Sequence, residues 1–208
     1  MRSGPQTGAR EDALKTWALP GKAPPHAGAL VELRAGAGST PPLAASVTTT
    51  RALRENVGME IRRARFSDAE VEPLLTGLSQ EYDTRYGENV EMTRASADEF
   101  DPPSGLFIVL MDGPITVGGG GFRRYDTTTC EVKRMWTDPL YRRRGLAARV
   151  LGALEDAARE VGYTRLILET GPLQPEAEAL YASRGYDRTE FYGHYPEARA
   201  FTLDLSRL

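Results

Sequence analysis

From Met59 onward the apolar positions of the chain switch back and forth between two periods. Met59 to Phe66 alternates like a strand, with Ile61, Ala64 and Phe66 as its apolar positions. Ser67-Asp68-Ala69-Glu70 has the capping-box pattern, Ser67 accepting from the Glu70 N–H while Glu70 reaches back. It predicts a helix to about Ser79 with Val71, Leu74, Leu75 and Leu78 on one face. Residues 80–104 are irregular, rich in acids and tyrosines, with room for another short helix. Leu106 to Met111 is a compact apolar strand, Asp112-Gly113 a turn, and Ile115 to Tyr125 the next strand. After a loop over Asp126–Thr129, Glu131, Lys133, Met135 and Thr137 alternate with Val132, Arg134 and Trp136. Three strands joined by short connections predict an antiparallel meander.

Asp138-Pro139 then stops the strand. From Gly145 the spacing becomes helical, burying Leu146, Val150, Leu151, Leu154, Ala158 and Val161, with Gly162 at the end. Arg165 to Glu169 reads as a buried strand. Pro175 opens another helix carrying Ala177, Leu180 and Tyr181 and closed by Gly185. Two last strands are expected around Tyr186–Tyr192 and Arg199–Leu205, separated by Gly193-His194-Tyr195-Pro196. The order predicts an α/β sandwich of the α+β kind with a mixed sheet.

The first 58 residues lack such periodicity. They hold Pro-Gly, Pro-Pro and Gly-Ala-Gly-Ser clusters and seven Lys/Arg against four Asp/Glu. Glu11–Leu19 and Leu43–Asn56 have room for a helical turn or two, without an apolar face. The expectation is a flexible, non-catalytic extension on a single domain spanning 59–208. Met59, which opens a clean strand, reads as an alternative start.

Composition narrows the function. A formal net charge of −3 with mixed signs gives no general affinity for nucleic acid or anionic membrane. One cysteine excludes an internal disulfide, and metal-ligand spacing is absent, so no metal is expected. No apolar run is long enough to span a bilayer, and the N-terminus lacks the core of a secretory signal. A cytoplasmic location is expected. Of the two histidines, only His194 lies in a segment read as folded, with no nucleophile elbow to support a triad.

The stretch from Cys130 to Arg149 carries the chemistry. A strand runs through Arg142-Arg143-Arg144-Gly145 into a helix start. The outward N–H groups of that first turn, the helix dipole and flanking arginines make a polyphosphate seat, which a glycine leaves open to close approach. Gly118–Gly121 lacks the ending of a phosphate loop, and glycines inside a strand read as close approach of a neighbouring backbone or ligand. Cys130 reads as a small buried hydrophobe.

Arg142-Arg143-Arg144-Gly145-Leu146-Ala147 resembles the acyl-CoA signature Gln/Arg-x-x-Gly-x-Gly/Ala of the GNAT superfamily of N-acetyltransferases. LILETG and EAEALYASRGY follow it, the latter similar to the family's A-x-x-L-Y-x-x-x-G-F/Y helix. The wording EVKRMW…LETGPLQPEA…LY is similar to bacterial members that acylate small amines. The resemblance covers roughly 59–208. It implies a mostly antiparallel sheet whose fourth and fifth strands splay to hold acyl-CoA, and acyl transfer from acetyl-CoA to a primary amine. It places the coenzyme on Met135, Trp136, Thr137, Arg142, Arg143, Arg144, Gly145, Leu146, Ala147, Ala148, Gln174 and Tyr181.

In the same resemblance, a bulge beside the thioester lets the Met135 N–H stabilise the oxyanion. Glu131, eleven residues before Arg142, stands at the offset of the glutamate base of histone-modifying relatives. Tyr181 stands at the position of the thiol's proton donor. Glu131 has an equal structural reading, pairing with Lys133, Arg134 or Arg123, and Tyr181 has one as a core residue. Tyr82, Tyr86, Tyr192 and His194 fall where relatives form the acceptor cleft. Glu81, Asp83, Glu88 and Glu91 read as a solvated face able to draw in a cation. The implied partner is a small-molecule amine, with direct attack in a ternary complex, and dimers are common among relatives. A lysine or N-terminal protein acetyltransferase is the rival within the same chemistry. A non-catalytic acyl-CoA sensor is the rival outside it.

Overall fold

The computed structural model describes residues 58–87, 96–190, 192–193, 195 and 197–207. The expected extension, Glu88, Glu91 and His194 lie outside the described residues. Seven strands form one sheet: β1 (Met59–Ala64), β2 (Leu106–Asp112), β3 (Ile115–Arg124), β4 (Thr129–Thr137), β5 (Arg165–Thr170), β6 (Asp187–Thr189) and β7 (Arg199–Asp204). Their spatial order is β1-β2-β3-β4-β5-β7-β6, and every pair is antiparallel except β4 with β5. The helices are α1 (Glu72–Tyr86), α2 (Leu146–Val161) and α3 (Pro175–Ser183). The mixed, mostly antiparallel sheet flanked by helices is therefore as expected.

The sheet separates two cores, and β2 shows why its sequence is apolar throughout. Leu106, Ile108 and Leu110 pack with Leu146, Val150, Leu151 and Leu154 of α2. Phe107, Val109 and Met111 pack on the opposite face with Val71, Leu74, Leu78 and Phe100. Strand parity thus serves both layers at once. Val161, expected in the core, is 45% exposed, because the helix ends there at the Gly162 cap.

The helix expected from Ser67 starts later. Asp68 accepts from the Arg65 N–H at 2.8 Å, and tight turns from Asp68 to Val71 and Ala69 to Glu72 follow. A helix capped by Ser67 would hold Pro73 in its interior, where proline lacks the N–H and clashes with the preceding turn. Starting at Glu72, α1 has Pro73 in its first turn, where neither matters. Its other end lies beyond Ser79. Tyr82 extends the Leu74–Leu78 stripe against the core, and Tyr86 meets Tyr82 edge-on at 6.1 Å. The segment expected to be irregular is helical up to Tyr86 and has a short 3-10 turn at Ala97–Phe100.

The glycine run in β3 is a close-approach surface. A Cβ on Gly121 would stand 2.7 Å from the Leu106 carbonyl oxygen, and one on Gly119 would overlap the Ile108 carbonyl and Leu74. The run lets β2, β4 and α1 come closer to β3 than side chains would permit.

Candidate active site

β4 and β5 pair from Thr129↔Arg165 to Val132↔Leu168 and then part, although β4 continues to Thr137 and β5 to Thr170. The cause lies in β4. Gly119 pairs with Trp136 and Gly121 with Lys133, so β4 holds one residue more than β3 over the same span. Arg134 takes φ 62°, a left-handed conformation uncommon for a side-chain-bearing residue. The bulge also resets the facing of the strand. Strict alternation puts Val132 and Trp136 on one side, but Val132 packs toward α2 and Trp136 toward α1. Met135, next to the bulge, packs on the α2 side. The indole of Trp136 lies where Gly77 of α1 has no side chain.

At its far end the opening meets the turn into α2. Asp138 accepts from the Leu140 N–H at 2.8 Å and tightens a 3-10 turn over Pro139–Tyr141. Arg143 and Gly145 both have left-handed backbone, at φ 60° and 74°. Leu146 then begins a helix whose first turn no side chain caps. A Cβ on Gly145 would meet nothing within 4 Å, so the turn is open beside that residue. Such a turn is suited to an anion. The three arginines behave differently. Arg143 is exposed, the Arg144 guanidinium lies 5.3 Å over the Tyr141 ring, and Arg142 is turned inward. Arg142 donates to the Thr137 carbonyl at 3.0 Å and pairs with Glu81 at 2.5 Å. Glu81, expected on a solvated face, bridges Arg142 and Arg85 instead.

On the α1 side of the sheet, beside the parting, lies a charged group. Glu131 is 3% exposed. Its carboxylate accepts from Arg123 Nε at 2.9 Å, Lys133 Nζ at 3.1 Å and the Tyr192 hydroxyl at 3.2 Å. Pairing with Arg123 and Lys133 is the structural role anticipated for it. Arg123 also reaches Glu99 at 2.5 Å. Glu169 follows the last paired residue of β5 and accepts the Gly193 N–H at 2.9 Å. Burial holds its pKa above the usual carboxylate range, opposed by Lys133 and reinforced by the Glu131 charge. Burial, with Glu131 and Glu169 nearby, likewise raises the Tyr192 pKa, so its hydroxyl keeps its proton. Glu169 was given no role from sequence. The available signal was a carboxylate closing the buried run Leu166-Ile167-Leu168.

Of the residues expected at the acceptor cleft, Tyr192 belongs to this group and packs edge-on against Tyr125 at 5.5 Å. Tyr86 accepts from the Leu173 N–H at 3.2 Å and sits against Gly171, bringing α1 over the loop between β5 and α3. Gln174 shapes that loop, its Oε1 accepting from Thr170 Oγ1 at 3.1 Å and the Gly171 N–H at 3.2 Å. Tyr181 lies on the opposite, α2 side, against Tyr186 and Phe201 at 5.9 and 5.5 Å, and burial raises its pKa. Glu131 and Glu169 thus lie on the α1 side of the sheet, and the protonated Tyr181 phenol lies in the core on the α2 side. Cys130 is fully buried with its thiol pushed up to about 12, so it is not a nucleophile. Among the described residues no three His, Cys, Asp or Glu side chains are grouped to hold a metal ion, and no helix is long and apolar enough to cross a membrane.

Comparison with known proteins accords with this geometry. The N-acetyltransferase YjgM of Escherichia coli, itself uncharacterized, is 32% identical over 93 residues, or 43% of this chain and 55% of that protein. The chain therefore spans about half the length of that relative. A Klebsiella pneumoniae structure described as an acyl-CoA N-acyltransferase superposes with a TM-score of 0.60 at 26% identity, covering 71% of this chain and 97% of that one. A Salmonella typhimurium structure, described as an acetyltransferase with its cofactor acetyl-CoA, shares the fold at a TM-score of 0.55 and 17% identity, covering 71% and 94%. The model of the acetyltransferase (GNAT) family matches residues 71–186. That match takes in more than half of the sequence, and the chain belongs to the GNAT family of acetyltransferases.

Proposed function

We propose that this chain transfers an acetyl group from acetyl-CoA to a primary amine of a small molecule by direct attack in a ternary complex. The observation that carries the reading is the parting of β4 from β5 between an uncapped helix start and the carboxylate of Glu169. The residues present suit coenzyme A. Backbone N–H groups from Arg143 to Ala148 would take the diphosphate, aided by Arg143 and Arg144, with Arg142 holding the turn against α1. Trp136 and Thr137 would flank the pantetheine arm opposite the Gln174 loop, and Leu146 anchors the helix start in the core. Bound acetyl-CoA would supply an activated acyl carbon and a thiol leaving group.

The remaining work falls to the chain. The Met135 N–H, beside the bulge, is the donor for the acyl carbonyl. The acceptor arrives from the α1 side past Tyr82, Tyr86 and Tyr192, as an ammonium that must lose a proton. Of the two carboxylates there, Glu169 is better suited than Glu131 to take it. Glu131 already accepts from two cations and a hydroxyl, whereas Glu169 has no ion-pair partner among the described residues and burial raises its pKa above the usual carboxylate range. Tyr181, which burial keeps protonated, is the hydrogen-bond donor that the family's pattern assigns to the departing sulfur. Holding both substrates at one opening contributes on its own about 7–11 kcal/mol toward lowering the barrier.

The test is thiol release from acetyl-CoA with polyamines, amino acids, aminoglycosides and peptides. Release with one class of small amine is expected. Acetyl-CoA binding without release for any amine overturns the reading in favour of an acyl-CoA sensor, and release with peptides alone favours a protein acetyltransferase.

A further inference from the structure

The charged group beside the parting is unbalanced in one place. Three carboxylates, Glu99, Glu131 and Glu169, meet two cations, Arg123 and Lys133. Both cations are held by Glu131. Its Oε2 takes Arg123 at 2.9 Å and its Oε1 takes Lys133 at 3.1 Å, and Arg123 is shared with Glu99 at 2.5 Å. Glu169 has no ion-pair partner among the described residues and accepts only backbone N–H groups and the longer-range pull of Lys133. Glu131 and Lys133 alternate along β4 before the bulge and so lie on one face, beside Glu169.

We infer that Glu131 is a specificity-determining residue: by occupying Arg123 and Lys133 it leaves Glu169 as the docking point for an ammonium, so that the acceptor is a primary amine with no carboxylate on the adjacent carbon. The inference rests on the amine-acetylating reading above. An ammonium at Glu169 adds a third positive charge beside the three carboxylates and two cations named here. An α-amino acid adds a further carboxylate within a few ångströms of Glu169 and Glu131, where the cations of this group, Arg123 and Lys133, are already held by Glu131. In a partly desolvated site like charges at that range disfavour binding by about tenfold or more. The Gly193 backbone, held by Glu169, and the Tyr125–Tyr192 ring pair supply no compensating charge.

The experiment compares kcat/KM for two matched sets, tyramine with tyrosine amide and tyrosine, and agmatine with arginine amide and arginine. Each compound is also titrated as an inhibitor of thiol release from the best panel amine, so that a compound bound without turnover is still ranked. Amine and amide should rank alike, with the free acid about tenfold or more poorer in each set. The amide has nearly the size of the acid, which separates charge from bulk. In Glu131→Gln, with Lys133 and Arg123 released, the amide-to-acid ratio should fall toward one. Glu131→Asp, which keeps the charge, should retain the ratio. A free acid used as well as its amide by the unaltered protein overturns the acceptor class, whatever happens to the folding of the variants. An unchanged ratio in a folded Glu131→Gln protein overturns the role of Glu131. Acetyl-CoA binding with no thiol release from any amine overturns the proposed function instead, so the two failures are distinguishable.

Discussion

Gly77 stands in the middle of α1, where alanine would ordinarily be the better residue. Relief of backbone entropy alone favours Gly→Ala within a helix by about 1 kcal/mol. The structure opposes this at Gly77, because a Cβ there would lie 2.6 Å from Cε2 and 3.0 Å from Nε1 of the Trp136 indole. Carbon atoms rest at about 3.5–4.0 Å, so the indole has to retreat by about 1 Å. Trp136 is 8% exposed and belongs to the core cluster of Val71, Leu74, Phe107 and Val109, which leaves it little room. Overpacking of this kind costs about 1–3 kcal/mol. Gly77→Ala should therefore be neutral to destabilising by about 2 kcal/mol, with a Tm about 2–4 °C lower per kcal/mol. In a Trp136→Phe background the shorter ring clears the Cβ, and the same change should stabilise by about 1 kcal/mol. The assay is thermal and denaturant unfolding of the four proteins in this double-mutant cycle, with a coupling of at least about 1 kcal/mol expected. Acetyl-CoA affinity should fall in Gly77→Ala, since Trp136 belongs to the parted edge of β4. A Gly77→Ala protein stabilised by the full helix-propensity gain, with no coupling to position 136, would refute the packing described here.

The other expectations concern the site and its supports. Gly145→Glu should abolish acetyl-CoA binding by calorimetry and lower Tm modestly, because its side chain meets no atom within 4 Å but the left-handed backbone at φ 74° costs a residue with a Cβ about 1 kcal/mol; unchanged affinity removes the diphosphate seat. Glu169→Gln should lower kcat by about a hundredfold or more and remove the acidic limb of the pH–rate profile, which in the unaltered protein lies above an ordinary carboxylate's range because burial raises the Glu169 pKa. The sign for stability is opposite: a carboxyl with a raised folded-state pKa favours folding below its unfolded pKa and loses that contribution as pH rises through the folded value, so Glu169→Gln should raise Tm at neutral pH and not near pH 4, measured by calorimetry. Arg184→Ala should destabilise more than Glu155→Leu in urea unfolding, because Glu155 is 1% exposed and paired to Arg184, and removing the arginine leaves a buried carboxylate without its cation, at a cost of about 3 kcal/mol. Cys130 should resist alkylation in the native protein and react only on unfolding, a mass-spectrometric test of its burial.

Much of this protein was legible in its sequence, because the interactions that write such signals are local. Period-2 and helical spacing, the Asp138-Pro139 stop, the arginine turn and the glycines after α2 and α3 each act within a few residues, and they located the elements and the helix start that faces the parting. The errors came where a distant or competing contact decided the outcome. Ser67 and Glu70 had the cap pattern, but Pro73 barred the helix that pattern required. Glu81 and Tyr86 were placed among irregular polar residues, whereas α1 extends far enough to carry them to Arg142 and the β5–α3 loop.

The site depended most on what only three dimensions contain. Alternation along β4 assigns Val132 and Trp136 to one face, and one inserted residue at Arg134, specified by pairing with β3, sends them to opposite faces and parts β4 from β5. Glu131 was visible as a candidate from its spacing alone. That its oxygens are occupied by Arg123, Lys133 and Tyr192, and that Glu169 stands beside them with no ion-pair partner among the described residues, follows from strands that meet only in the folded sheet. The sequence by itself determined the order of elements and the chemistry of the anion seat, since backbone geometry and side-chain period are local properties. The tertiary structure alone decided which carboxylate holds Arg123 and Lys133 and which accepts a backbone N–H instead, because that depends on neighbours brought in from other strands.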